Sequence, residues 1–166
     1  MSAARPPEGA RERSAQRAAC VMKRAALLLV LALASAARAA GPASARTATA
    51  DLYARMSAGD LPGVTRYVPD AGFTELDGDA AAPRRIDAAA FAGLLKSGAQ
   101  VALRAGDLQE QALGDVVVVT GMRLGAITPP GAAAADMATP FTMVWQREGD
   151  GWKLRHVHLS RSLPAH

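Results

Sequence analysis

The stretch Phe141–Ser160, FTMVWQREGDGWKLRHVHLS, constrains the fold of this chain more than any other. Two alternating runs flank the turn Glu148-Gly149-Asp150-Gly151, the arrangement of a β-hairpin. Side chains alternate across a strand, so strict alternation places Trp152, Leu154, His156, His158 and Ser160 on one face. That face is apolar at one end and polar at the other, as expected of a strand that leaves a packed core and enters a cavity.

Upstream of the hairpin the periodicity changes twice. Ala45–Ala58 is expected to be helical, with Ala48, Leu52 and Met56 on one face and Gly59 just past its end. Asp60 caps a second short helix that tolerates Pro62 in its first turn and stops before Pro69. Ala71–Glu75 is a strand candidate leading into the turn Asp77-Gly78-Asp79. Arg84-Arg85 reads as a solvated charge pair in a loop. Asp87 caps a third helix that turns Phe91, Leu94 and Leu95 to the core and ends at Gly98. From Ala99 the period is two: Val101–Leu113 is a strand bent at Gly106, and Val116–Leu124 is a β-branched strand. The segment Thr128–Pro140 has no periodicity and is expected to be a mobile connection. Helices first and antiparallel strands after make an α+β pattern, with the sheet curling over the helices.

Composition separates a leader from this domain. Met22-Lys23-Arg24 runs into AALLLVLALASAARAA and reaches the small-residue arrangement Ala37-Arg38-Ala39, so residues 22–39 have the layout of a secretory signal peptide cleaved after Ala39. The apolar core is shorter than the roughly 20 residues a membrane-spanning helix needs. Residues 1–21 read as a disordered extension or a mis-assigned start, with translation beginning at Met22 or the leader carrying a long basic region. Residues 40–166 are then the folded domain, periplasmic or secreted and off the membrane after cleavage. Residues 1–39 hold seven Lys or Arg against two Glu, and the remainder twelve against thirteen Asp or Glu. The basic surplus therefore belongs to the leader, and the electrostatic footprint of nucleic-acid binding is missing from the domain. The single cysteine, Cys20, also precedes the apolar stretch. The domain has no thiolate nucleophile, disulfide or cysteine metal site.

The AGD at Ala58–Asp60, the strand near residue 73, the capped third helix and the C-terminal W-x₆-W-K-x-x-H-x-H-x-S together resemble the nuclear transport factor 2-like superfamily. Within it the chain is most similar to SnoaL-like and ketosteroid-isomerase-like bacterial proteins, over about residues 46–162. The HVHLS segment also resembles the association domain of calcium/calmodulin-dependent protein kinase II. The resemblance implies a cone: a strongly bent antiparallel sheet packed on N-terminal helices, an apolar cavity, and a homodimer through the sheet's outer face. For isomerase-like members it implies a carboxylate base on the first strand, where Glu75 or Asp77 stands. It also implies a tyrosine donor on the first helix, where Tyr53 lies about one residue out of register. The second donor, a protonated aspartate, is replaced here by Thr142 in ATPFTMVW. A threonine hydroxyl donates a hydrogen bond but is not the strongly shifted carboxylic acid of that mechanism.

The pocket candidates are therefore Tyr53, Glu75, Thr142, His156 and His158. The two histidines could share a metal, but a catalytic site generally needs a third protein ligand and only the terminal His166 remains, so no metal and no cofactor are expected. His158 also suits a hydrogen-bonding or acid–base role; its plainest role is satisfaction by Ser160 or a neighbouring strand. The expected function is binding of a small apolar molecule without a catalytic set. One alternative is an isomerase, dehydratase or cyclase with Glu75 as base and His158, Tyr53 or Thr142 as donors. The other is a dimeric assembly module.

Overall fold

A computed structural model describes residues 42–164. The leader at 22–39, the extension before it and His166 lie outside the described residues. The chain forms helices α1 (Ala45–Ser57) and α2 (Leu61–Thr65), strands β1 (Phe73–Asp77) and β2 (Arg84–Ile86), and helix α3 (Ala88–Lys96). Four longer strands follow: β3 (Gln100–Leu113), β4 (Val116–Thr128), β5 (Met137–Glu148) and β6 (Gly151–Leu159), then a two-residue β7 (Leu163–Pro164). The fold is α+β: a curved, unclosed sheet ordered β2-β1-β6-β5-β4-β3 with the helices on one side, and β7 pairs with the start of β5.

The helix ends obey local chemistry. Ser44, Asp60 and Asp87 each accept a hydrogen bond from a backbone N–H three residues on, at 3.1, 3.0 and 2.9 Å. Three expectations change. Arg84 and Arg85 belong to a short strand antiparallel to β1. Met137–Pro140 is the first part of β5, so the irregular connection ends before Met137. The sheet is not wholly antiparallel, because β1 runs parallel to β6.

One face of the sheet is the core face. Val117 and Val119 of β4 pair with Trp145 and Met143 of β5, and all four are buried. Tyr67 meets Trp145 edge-on at 5.6 Å, and Tyr53 meets Phe141 in the same way at 5.9 Å. Ser57, at the end of α1, clips that helix to β3: its hydroxyl accepts from Leu103 N at 2.8 Å and donates to Leu103 O. Where β3 and β4 approach most closely, Gly125 has φ 91°, and a Cβ there would stand 1.9 Å from Ala102 O. Only glycine fits that position.

Besides the register shift between Gly106 and Gln109 of β3, β6 carries one of its own. Val144 pairs with His156, but Trp145 pairs with Leu154, so Arg155 is an extra residue in the ladder. The bulge lies where β6 changes neighbours: Leu154 N donates to Tyr67 O at 2.9 Å, and His156 is aligned with Thr74 of β1. Past a one-residue bulge the faces of a strand exchange. Trp152 and Leu154 are buried before it, and Val157 and Leu159 after it. The expected alternation through His156, His158 and Ser160 therefore fails at Arg155.

A polar network fastens the two N-terminal helices. Asp51 accepts from the Tyr67 hydroxyl and from Arg55 Nε at 2.5 Å, while Arg55 Nη1 reaches Asp60 at 2.6 Å. Burial alone would raise the Asp51 carboxyl; the hydrogen bonds from Arg55 and Tyr67 outweigh it and hold the group below its ordinary range. Burial, reinforced by Asp51, pushes the Tyr67 phenol up to about 12. Because the folded Asp51 is the stronger acid, its contribution is fully present above the unfolded value near pH ~3.9 and is lost as the pH falls through the lower folded value. Asp51→Asn should cost about 1 kcal/mol in urea unfolding at neutral pH, the site being partly exposed. The wild-type and Asp51→Asn stabilities should converge as the pH is lowered below about 4.

Candidate functional site

Between α1, α3 and the core face of the sheet lies a cavity of about 520 Å³. Its apolar wall includes Leu52 and Met56 of α1, Phe91 and Leu94 of α3, Leu103 of β3 and Met143 of β5. Polar groups enter at three places: Tyr53 from α1, Glu75 and Asp77 beside Arg84 on the β1–β2 edge, and Arg123 with Ser162 at the far end of β4.

Tyr53 reaches the cavity from the buried face of α1, next to Leu52 and one turn before Met56. Its phenol is pushed up by burial; Arg123 pulls it back and Glu75 pushes it further up. It therefore stays a neutral O–H donor through the physiological range. Glu75 follows Phe73 by two on the core face of β1, and its side chain is 15% exposed. Arg84, opposite it on β2, donates to Glu75 Oε1 from Nε at 2.9 Å and from Nη2. The two form an ion pair at the mouth, and only Glu75 Oε2 is left to accept a proton or a ligand. Asp77 lies two residues further along, with Oδ1 accepting from Asp79 N at 3.2 Å in the turn.

Thr142, His156 and His158 are not in the cavity. His156 is aligned with Val144 and Thr74, and His158 with Thr142 and Leu76, all on the outer face of the sheet. His158 is exposed. The Arg155 bulge put Val157 and Leu159 inside and turned these histidines out. Glu75 and His158 thus lie on opposite sides of the sheet and cannot act on one molecule in the cavity. Among the described residues no cluster of three or more His, Cys, Asp or Glu could hold a metal ion. The candidate set contracts to Tyr53 and Glu75.

Sequence reasoning missed Arg123. It is the fourth core-facing position of β4, after Val117, Val119 and Gly121, and is aligned with buried Thr139. The signal was present, since a cation interrupts an otherwise apolar alternation. The bulge was also marked: the apolar residues fall at 152, 154, 157 and 159, a phase slip of one residue between Leu154 and Val157.

Residues 45–165 match the family model described as SnoaL-like domain. The sequence has no significant match among curated proteins. The fold is similar to the CaMKII hub of S. rosetta, with a TM-score of 0.56, 23% identity, and 72% of this chain and 98% of that one covered. It is also similar to an NTF2-like protein of unknown function in nutrient uptake from Rhodospirillum rubrum, with a TM-score of 0.54, 25% identity, and 68% and 93% covered. An NTF2-like protein from Cytophaga hutchinsonii gives a TM-score of 0.53 at 13% identity, with 66% and 88% covered.

The two buried tyrosines provide a test of this geometry. The Tyr67 hydroxyl donates to Asp51, whereas Tyr53 lines the cavity and its hydroxyl has no such charged partner among the described residues. Tyr67→Phe should cost about 1–2 kcal/mol in denaturant unfolding, because a charged acceptor loses its donor. Tyr53→Phe should cost less than about 0.5 kcal/mol without added ligand.

Proposed function

Because this chain belongs to the SnoaL-like domain family, we propose that its folded domain binds a small, largely apolar molecule in the cavity between α1, α3 and the sheet. The single observation that carries this reading is the void of about 520 Å³, walled by apolar side chains of α1, α3 and the sheet and reached by polar groups at three places. A space of this size and character lies within the range of about 300–1,000 Å³ typical of small-molecule sites. The acid–base alternative is left with Tyr53 and an ion-paired Glu75, so we read the domain as a binder without a catalytic set. The leader pattern at residues 22–39 supports a periplasmic or secreted location.

An assembly role is favoured by a different observation. The outer face of the sheet carries Val116, Val118, Met122 and Leu124 of β4 and Val144 of β5, and Leu113 beside them is 57% exposed. We propose that a second copy covers this strip, giving a homodimer. Apolar side chains gathered on one outer face, interrupted on β4 only by Thr120, favour an interaction surface there.

Purified full-length protein should gain thermal stability with members of a panel of apolar small molecules. A ligand at about 100 times its dissociation constant adds about 2.7 kcal/mol. Leu94→Trp, which grows into the cavity, should abolish the shift, while His156→Ala and His158→Ala should preserve it. Absence of any shift across the panel would count against the binding reading. For the assembly, light scattering should give a dimer mass for the wild type and a monomer mass for Val144→Glu; a monomeric wild type removes that reading.

A further inference from the structure

The polar end of the cavity carries a charge with no counterpart. Arg123 stands on the core face of β4 because its alternation is in phase with Val117 and Val119 and because β5 offers Thr139 opposite it. Its Nε is buried and has no hydrogen-bond partner among the described residues. Its guanidinium touches Thr139 Oγ1 from Nη2 at 3.3 Å, and Thr139 Oγ1 is itself 2.6 Å from Ser162 Oγ. None of the ion pairs among the described residues includes Arg123. The cavity's two carboxylates are engaged elsewhere: Glu75 with Arg84, and Asp77 with the backbone of its own turn.

A guanidinium offers several N–H donors in a rigid fork matched to a carboxylate, and in this half-buried one the enclosed Nε–H is left without an acceptor, which is costly. Such an arrangement is explained if the partner arrives with the ligand. Tyr53, kept protonated by burial, lines the same cavity within the field of Arg123 and offers a further O–H. Between these groups and the Glu75–Arg84 pair the wall is formed by apolar side chains. We infer that the cavity takes a small apolar monocarboxylic acid, its carboxylate on Arg123 and Tyr53 and its hydrocarbon body against Leu52, Phe91, Leu94 and Met143. A singly charged ligand fits better than a phosphate ester: one guanidinium is free, and the other cation of the cavity, Arg84, is already paired with Glu75. The inference rests on the small-molecule reading above and adds the ligand class.

The test compares 4-phenylbutyrate with 4-phenylbutyramide by calorimetry on the full-length protein near neutral pH and low salt. The acid should bind at least about tenfold more tightly than the amide, and Arg123→Met should bring the two to equal affinity. Arg123→Lys should retain part of the preference, because it keeps the charge without the fork. Tyr53→Phe should weaken the acid by about threefold or more. Should Arg123→Met fail to fold, the Arg123 Nε–H resonance of wild-type protein gives the answer: it should move on adding the acid and stay in place with the amide. Equal affinity of wild type for acid and amide, or an unmoved Arg123 resonance on saturation with acid, overturns this inference and leaves the apolar binding reading intact. Binding of neither compound, together with a blank apolar panel, overturns both.

Discussion

Val157 and Leu159 enter the core only because β6 gains a residue at Arg155, and much of the architecture depends on that slip. Burying each of these side chains is worth about 1.5–3 kcal/mol. The bulge sacrifices regular pairing at one residue, a cost nearer 1 kcal/mol. Burial wins, and the extra residue finds polar partners: Arg155 Nε reaches Gln146 at 2.8 Å and its Nη2 reaches Glu148. Leu154 meanwhile bonds to Tyr67 O, so the residue that ends the first half of β6 also anchors the chain leaving α2. The parallel β1–β6 pairing begins immediately after. That pairing brings Phe73 and Glu75 to the core side and sends His156 and His158 to the other.

Charge is sorted on the same geometric grounds. The Glu75–Arg84 pair sits at an edge of the sheet, where the Arg84 side chain is 62% exposed and its charge remains hydrated. Arg123 instead belongs to an interior strand, flanked by β3 and β5, and part of its guanidinium has lost solvent without gaining a carboxylate. The difference between the two arginines is one of position in the sheet, not of residue chemistry. It makes one end of the cavity electrostatically asymmetric while the middle remains hydrocarbon.

The helices are held to this sheet by few polar links and a large apolar contact. Asp51, Arg55 and Asp60 join α1 to the start of α2 and to Tyr67, and Ser57 joins the end of α1 to β3. These links set the position of α1 along the sheet, and with it the depth at which Tyr53 meets Phe141. SnoaL-like membership describes this frame; the same frame serves unrelated activities, so the ligand must be argued from the side chains that line it.

Capped helix starts at Asp60 and Asp87, the glycine stops at Gly59 and Gly98, the bend near Gly106 and the hairpin at Gly149-Asp150 follow from local chemistry and were legible in the sequence. So was the α+β order of elements. Tyr53 and Glu75 came into view through the resemblance to isomerase-like proteins, and both line the cavity. His156 and His158 were misplaced because a period-two reading carries one phase error through every residue beyond it; Thr142 entered through the resemblance alone, and its place between buried Phe141 and Met143 on β5 turns it to the outer face. The Arg84–Glu75 pairing, the parallel contact of β1 with β6 and the packing of Arg123 beside Thr139 and Ser162 join segments whose pairing no local preference fixes. The sequence determined which segments turn, coil and extend, since those preferences act over a few residues; the tertiary structure alone decided which side chains face one another, because burial of a common face selects register across the whole sheet.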